Sequence, residues 1–294
     1  MKERKMEFAN LEYFAQQDAG LKWYAIADSA QNSELPNILL NPTCLVRCLF
    51  GKPQGSLVAQ YSPHLVELDS PRHRNEAWSW ISLNVRMTSC VSIIATKLSF
   101  DELFSRLTQC IDVSLPDEES MFLAIWDPAI LGTLIGQEDD DTLYVKGPVL
   151  DQNQRMILMQ GINRWVYWNR NGACHTIYGS NVFEEDIASR IILNQGQVDA
   201  LVEASVPDHI LHYLSRNQSS LMDEIPFDRR YKFAVEALTR ARDIGLKTMR
   251  DIINYVCAEL FYKERMQKEE SIIYLMSEVR NKNIAMDNAI RELP

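Results

Sequence analysis

The chain has 294 residues, of which 40 are acidic and 30 are basic, and its formal net charge at pH 7 is −10. This balance disfavours a nucleic-acid-binding protein, because such proteins gain much of their affinity by neutralising phosphates with Lys and Arg. Hydrophobic residues make up 46% of the sequence and charged residues 24%, which is typical of a globular protein and excludes a disordered one.

The N-terminal segment predicts an amphipathic helix rather than an export signal. Phe8 and Leu11 fall on one helical face, which Phe14 or Ala15 would extend. The basic residues before them are not followed by the continuous apolar segment and small-residue cleavage site of a signal peptide. No apolar run approaches the roughly 20 residues that a membrane helix needs. We therefore expect a cytoplasmic protein without a membrane partner.

Short apolar segments and helical patterns alternate in the first part of the chain. Five segments have the length and apolar content of strands: 23–28, 57–62, 89–96, 120–126 and 142–150. The clearest helix begins after Ser99, which forms a capping-box pattern with Glu102. A β-hairpin is expected within 156–178, where Asn171-Gly172 supplies a strong turn signal. This mixture predicts an α+β (mixed α/β) N-terminal lobe.

After about residue 180 the patterns become helical. The helices are expected over 187–217 with an interruption at Pro207, over 227–243 with Gly245 as a stop signal, over 246–266, and over 269–291. Within 246–266, an apolar stripe runs from Met249 to Phe261 at helical spacing. The sequence therefore predicts two domains, a mixed α/β lobe over residues 1–180 and an all-helical lobe over residues 181–294.

The cysteines and histidines do not form a recognisable catalytic or metal-binding motif. The six cysteines are widely spaced: Cys44, Cys48, Cys90, Cys110, Cys174 and Cys257. We interpret them as buried free thiols, with Cys44 and Cys48 on a helix, in preference to metal ligands. His209 and His212 could share a metal at this spacing, but they lack the glutamate of a zinc-protease helix. Cys174 and His175 are neighbours on a strand, so their side chains should point to opposite faces.

The sequence also lacks a phosphate-binding loop, a nucleophile elbow and a dinucleotide fingerprint. We therefore predict a protein that is not an enzyme and needs no metal and no cofactor. A hydrolase stays an alternative, because a pair of catalytic carboxylates has no sequence spacing of its own.

Two further groups of residues allow a partner-binding interpretation and a plainer one. Four tryptophans could line a groove but are more simply assigned to the core: Trp78, Trp80, Trp165 and Trp168. The charged residues Asp228, Arg229, Arg230, Arg240 and Arg242 could dock an acidic segment. We interpret them as solvated helix faces.

A series of short motifs gives more specific information through its order. The motifs are WYAIADSA (23–30), CLFGKP (48–53), LVAQYSPHLVEL (57–68), Thr88-Ser89, FLAIWDPAIL (122–131) and KGPV (146–149). This order resembles the bacterial type VI secretion system adaptor proteins, also called effector chaperones (Tap or Tec), a domain of unknown function found beside VgrG genes. The resemblance covers residues 20–150 well and the helical tail more loosely.

The resemblance implies that six residues are family-signature positions with mainly structural roles. They are Asp28, Pro63, Asp127, Pro128, Gly147 and Pro148. Asp127 is expected to cap a helix whose first residue is Pro128, where a missing amide hydrogen costs nothing. The sequence departs from the family at Ala124, where members often have arginine, and in the residues 144–146 that lead into Gly147.

The function implied by the resemblance is that of a non-enzymatic adaptor or chaperone. Such a protein binds a secreted effector (a toxin) in the cytosol and loads it onto the VgrG spike protein. It implies no cofactor, no nucleic acid and no membrane, and the residues that contact either partner are not defined by it. An immunity protein that binds and inhibits a toxin is the main alternative.

Overall fold

The structure is a computed structural model that divides into two compact units, residues 1–201 and residues 202–294. It describes residues 11–17, 20–32, 34–35, 45–53, 55–71, 76–85, 89–117, 119–179 and 190–294. The predictions for Phe8, Cys44, Thr88 and residues 181–189 lie outside these ranges. Among the described helices, none has both the length and the apolar character needed to span a bilayer.

A six-stranded sheet forms the centre of the first unit. Its strands are β1 (Lys22–Asp28), β2 (Val46–Cys48), β3 (Pro63–Leu68), β4 (Val91–Thr96), β7 (Ile162–Trp168) and β8 (Cys174–Tyr178). They lie in the order β2-β3-β1-β4-β7-β8, and each neighbouring pair is antiparallel. Strands β5 (Asp112–Ser114) and β6 (Ser120–Phe122) form a separate two-stranded ribbon.

The central strands are buried on both faces of the sheet. Tyr24 and Ile26 of β1 belong to one apolar cluster, whereas Trp23 and Ala25 belong to a second cluster on the opposite face. Alternate residues of a strand point to opposite faces, so burial of both faces requires a nearly continuous apolar sequence. This requirement explains why residues 23–27 of β1 are all apolar and why β4 is apolar apart from Ser92 and Thr96.

The first unit also contains helices. The helices are α1 (Leu57–Gln60), α2 (Glu76–Asn84), α3 (Phe100–Ile111), α4 (Pro128–Ile135) and α5 (Gln152–Met159), and residues 11–17 are also helical. Helix α3 begins with the predicted capping box, in which Ser99 and Glu102 each accept a hydrogen bond from the other's backbone amide. Leu11 and Ala15 pack into the second cluster, which confirms the apolar face expected for the N-terminal segment.

Several strand predictions in this unit are wrong. Residues 57–60 form helix α1, because Ser56 Oγ accepts a hydrogen bond from the amide of Ala59 and Ser62 Oγ donates to the carbonyl of Val58. Such local bonds satisfy backbone groups that a strand would pair with a neighbour. Of 120–126, only Ser120–Phe122 is a strand.

The segment 142–150 is irregular rather than extended, which corrects another strand prediction. Its start is held by the side chain of Asp140, which accepts a hydrogen bond from the amide of Thr142 at 2.9 Å. Its end contains Pro148, which has no amide hydrogen to donate to a ladder. The hairpin prediction is confirmed for β7 and β8, whereas residues 156–159 belong to α5.

The second unit is helical, so the predicted fold class is confirmed. Helix α6 (Gln195–Asn217) leads into α7 (Ser219–Asp223), a 3₁₀ turn (Phe227–Arg229), α8 (Arg230–Asp243), α9 (Met249–Tyr262), α10 (Arg265–Lys268), α11 (Glu270–Arg280) and α12 (Met286–Glu292). Gly245 follows α8 with a φ of 85°, as expected for a helix stop. On α9, Ile252 and Val256 are fully buried, but Phe261 is exposed, because the buried face turns toward Tyr255 and Ala258.

Two helix predictions in this region are wrong. Helix α6 continues through Pro207, because burial of Val206, Ile210 and Leu214 around it outweighs the roughly 3 kcal/mol cost of an interior proline. The segment 269–291 forms two helices, α11 and α12, since Lys282 has a φ of 61° that a helix does not accept.

In the first unit, the helix prediction for Cys48 is also wrong, because Cys48 lies on strand β2.

The two units divide between Leu201 and Val202, whereas the sequence places the domain boundary after residue 180. Residues 190–201 join the first unit through specific bonds. The amide of Ser114 donates to the carbonyl of Ile191 at 3.1 Å, and Gln197 Nε2 donates to the carbonyl of Val149 at 2.8 Å. These contacts are between residues far apart in the chain, so no local pattern indicates them.

Candidate functional site

Two of the signature residues meet where β1 ends and β3 begins. Asp28 and Pro63 are opposite each other in the antiparallel register. Asp28 Oδ1 accepts a hydrogen bond from the amide of Ala30 at 3.0 Å and so fixes the turn after β1. Pro63 is the first residue of its strand, a position where proline is tolerated in a sheet. Both residues therefore shape the same end of the sheet.

Asp28 is only 5% exposed. Burial is the main cause that raises its pKa to about 6, and the negative charge of Asp127 raises the pKa further. Hydrogen bonds from Ala30 and Gln31 oppose this shift. The two signature aspartates are thus coupled electrostatically across the end of the sheet.

We expect Asp28→Asn to stabilise the first unit at pH 7.5 and not at pH 4. The folded pKa of Asp28 lies above its unfolded value, so the folded state holds a proton that the unfolded state has lost between about pH 4 and pH 6. Stability is therefore lost as the pH rises through 6. At pH 7.5 the variant should gain about 1–3 kcal/mol in free energy of unfolding.

Urea unfolding followed by tryptophan fluorescence measures this effect in the first unit alone, because all six tryptophans lie before residue 202. The carboxamide introduced by Asp28→Asn keeps a side-chain oxygen that can accept the hydrogen bond from the amide of Ala30. Asp117→Asn, in an exposed turn, is the matched control and should follow the pH dependence of the parent protein. A gain that is equal at pH 4 and pH 7.5 would contradict the assignment.

Asp127 and Pro128 begin helix α4 in the predicted manner. Asp127 is the N-cap residue, and its Oδ1 accepts a hydrogen bond from the amide of Ala129 at 2.9 Å. Pro128 is the first helical residue and is buried. The capping prediction is therefore confirmed. At Ala124 the sequence departs from the family, whose members often have arginine there. Ala124 contacts Asp127 through the backbone, because its carbonyl accepts a hydrogen bond from the amide of Asp127 at 3.0 Å.

Gly147 and Pro148 lie against the other end of α4. The helix ends at Ile135 and is followed by the C-cap residue Gly136, which has a left-handed backbone. A Cβ atom added to Gly136 would come within 2.6 Å of the Pro148 nitrogen. Gly147 has a φ of 62°, and its peptide bond to Pro148 is cis. The amide of Val149 then donates to the carbonyl of Thr133 at 3.1 Å. Four of the six signature residues thus define the ends of one helix.

Three aromatic rings form a row that adjoins the signature residue Asp127 through Trp126. The sequence did not predict this row. Phe50 follows β2, Phe122 ends β6, and Trp126 directly precedes Asp127. The rings of Phe50 and Phe122 stack at a centroid distance of 4.8 Å, and Trp126 meets Phe50 edge-on at 5.1 Å. Phe122 is 58% exposed, so the row presents an apolar surface to solvent. We call these three residues the aromatic row.

A buried polar network ties the acidic turn 138–141 to the β7–β8 hairpin. Asp140 is fully buried, and its carboxylate accepts hydrogen bonds from Thr142, Asn169 and Tyr167 at 2.7 to 2.9 Å. Asn169 in turn accepts from the amide of Ala173 in the hairpin turn. Burial alone would raise the pKa of Asp140, but these hydrogen bonds outweigh it and lower the pKa. With its carboxylate enclosed, this network is suited to holding the hairpin rather than to contacting a substrate.

Of the residues considered for metal binding or catalysis, Cys44 lies outside the described ranges, and His209 and His212 both line a groove in the helical unit. His175 is buried, whereas the adjacent Cys174 is partly exposed, as expected for strand neighbours. Burial raises the pKa of Cys110 and of Cys90 to about 12, which suppresses their thiolate forms. Within the described residues, no three His, Cys, Asp or Glu side chains are grouped so that they could hold a metal ion.

The core interpretation of the tryptophans is confirmed. Trp165 and Trp168 are fully buried, Trp78 is 2% exposed, and Trp80 is 8% exposed. The interpretation of the arginines as solvated holds for Arg229, which is exposed, but is wrong for Arg230, Arg240 and Arg242. Arg230 is partly buried and pairs with Asp223. Arg240 forms a two-bond ion pair with Glu259, and Arg242 forms one with Glu203. These pairs join α8 to α9 and to α6, which a pattern within a single helix does not indicate.

Comparison with known protein families gives a match over one part of the chain. Residues 23–143 match the model of the family described as Domain of unknown function (DUF4123), a range that includes Asp28, Pro63, Asp127 and Pro128. No curated protein matches the chain significantly. No solved structure matches it significantly either. Over residues 23–143 the chain is therefore similar to the DUF4123 family, whose association with effector adaptors of type VI secretion fits a general adaptor role.

Proposed function

We propose that this protein is a non-enzymatic adaptor that binds a type VI secretion effector in the cytosol and loads it onto the VgrG spike. The observation that carries the proposal is the family match over residues 23–143. Cargo must be taken up and then released, so the interfaces should be of moderate size and reversible.

The aromatic row is our candidate for the partner-binding surface of the first unit. Aromatic side chains dominate binding hot spots, because they bury a large apolar area at a small cost in conformational entropy. Phe122 offers an exposed ring, and the ring of Phe50 stacks on it. Trp126 connects the row to the signature residue Asp127, which positions the start of α4.

The charge of the first unit favours a basic partner surface. Residues 202–294 contain 15 acidic and 14 basic residues, so −9 of the net charge of −10 belongs to residues 1–201. Complementary charge accelerates association and disfavours wrong partners, and salt screens it. Binding of the effector should therefore weaken as the salt concentration rises, and affinity that is equal at about 50 mM and about 500 mM salt in a titration would contradict this part of the proposal.

The decisive experiment is co-purification with effector and spike proteins, whose genes we expect to neighbour the gene of an adaptor. We expect Phe122→Ala to weaken capture of one of these partners by at least about tenfold, or about 1.4 kcal/mol, because it removes the exposed ring of the aromatic row. Tyr178→Ala is the matched control, since Tyr178 is an exposed aromatic residue (67%) on the edge strand β8. It should leave capture unchanged.

Three results would contradict the proposal. Capture of neither partner by the parent protein would remove the adaptor role. Protection of cells that lack a secretion system, by this protein alone, would identify an immunity protein. Substrate turnover by the purified protein, abolished by changing a single side chain, would identify an enzyme.

A further inference from the structure

A surface groove in the helical unit has a composition that differs from its surroundings. It has a volume of about 470 Å³ and lies between the C-terminal half of α6 and the start of α9. Helix α6 contributes His209, His212 and Arg216, whereas α9 contributes Met249 and Ile253. One wall is therefore polar and carries the positive charge of Arg216, and the other is apolar.

The polar wall has a single sign of charge. The residues that line the groove include one arginine and two histidines and no Asp or Glu, in a unit with 15 acidic residues. The guanidinium of Arg216 is exposed at the last turn of α6. Within the described part of the chain it has no ion pair, whereas five other arginines of this unit are paired: Arg230, Arg240, Arg242, Arg250 and Arg265.

The apolar wall is only partly covered by the protein itself. Met249 and Ile253 are half-buried and lie one helical turn apart on α9. Tyr213 lies between the histidines and Arg216 and is 36% exposed. An apolar strip beside a row of cationic and hydrogen-bond-donating groups suits a helix that carries apolar residues on one side and carboxylates on the next.

We propose that this groove binds an acidic amphipathic helix of a partner protein. The carboxylates of that helix would bind Arg216 and accept hydrogen bonds from the imidazole N–H groups of His209 and His212. An aliphatic side chain of the same helix would pack on Met249 and Ile253. The charge preference is opposite to that of the first unit, so the two units would select different partners. Assignment of the helix to an effector or to a spike rests on the proposed function, whereas the binding chemistry does not.

The test uses the full-length protein and a fluorescein-labelled helical peptide of about 16 residues, or about 24 Å, with glutamates along one face and leucines along the next. Fluorescence anisotropy measures its affinity. We expect saturable binding that Arg216→Glu weakens by at least about tenfold. Arg229→Glu changes the net charge equally at an exposed position outside the groove and should have little effect. Thermal melts check that both variants are folded.

A second peptide, with lysine in place of every glutamate, tests the sign of the charge. The acidic first unit can attract this peptide, so its binding should not be weakened by Arg216→Glu. Three results would overturn the inference: no binding of the acidic peptide at about 1 mM, an equal loss of lysine-peptide binding in Arg216→Glu, or equal losses of acidic-peptide binding in Arg216→Glu and Arg229→Glu. None of these results bears on whether the protein loads an effector, because that activity is measured by co-purification with effector and spike proteins.

Discussion

Asp140→Ala should lower the free energy of unfolding of the first unit by about 3 kcal/mol. The substitution removes the acceptor for four donors: the amide and hydroxyl of Thr142, Asn169 Nδ2 and the hydroxyl of Tyr167. These groups are buried, so water cannot readily replace the lost hydrogen bonds, and leaving the donors without an acceptor costs free energy. Asn169 also loses part of the support with which it holds the hairpin turn at Ala173. Urea unfolding followed by tryptophan fluorescence measures the loss.

The adjacent Asp141 provides the control, because it is exposed and Asp141→Ala should change stability by less than about 0.5 kcal/mol. The pH dependence gives a second check. The folded pKa of Asp140 lies below its ordinary value, so its stabilisation is present above about pH 4 and is lost as the pH falls through the folded pKa. The difference between parent and variant should therefore shrink in acid. A difference that stays constant down to about pH 2 would contradict the role of the carboxylate.

Gly147→Ala should also destabilise the first unit by about 3 kcal/mol. The φ of 62° at Gly147 is unfavourable for any residue with a Cβ atom, and the added methyl group would collide with the backbone carbonyl oxygen of Thr133. That carbonyl accepts the amide of Val149 and cannot move without breaking this bond. The variant is measured by the same fluorescence-detected unfolding.

Gly51→Ala separates the two causes of this effect. Gly51 has nearly the same φ, 65°, but no atom lies within 4 Å of the position of its Cβ. It should lose only about 1–2 kcal/mol, the cost of a left-handed backbone. Equal losses in the two variants would mean that the region around Thr133 relaxes and that Gly147 is not needed for close packing.

Most elements encoded by adjacent residues were predicted correctly, although helix α1, which is held by local bonds of Ser56 and Ser62, was mistaken for a strand. The capping box of Ser99 and Glu102, the cap of α4 by Asp127, and the turn at Asn171-Gly172 each depend on residues within three or four positions of one another. Their hydrogen bonds form within a single turn of chain, so the residue types specify the geometry directly. The predicted mixed lobe followed by a helical lobe is confirmed for the same reason, since hydrophobic periodicity is also a local property.

Tertiary contacts decided the features that were missed. Helix α6 continues through Pro207 because buried neighbours compensate for the proline, and 142–150 is irregular because Asp140 and α4 bind it. The aromatic row is another example, since Phe50 and Phe122 are 72 positions apart and come into contact only when β2 and the β5–β6 ribbon are placed. The Arg240–Glu259 pair likewise needs two packed helices.

The sequence by itself therefore determined the helix caps, the turns, the class of fold and the order of motifs that resembles the adaptor family. Only the tertiary structure revealed which side chains share a surface, namely the aromatic row, the Asp140 network and the groove at Arg216. The physical reason is that caps and periodicity are set by bonds between near neighbours in the chain. A binding surface, in contrast, is formed by residues whose proximity depends on how whole elements pack.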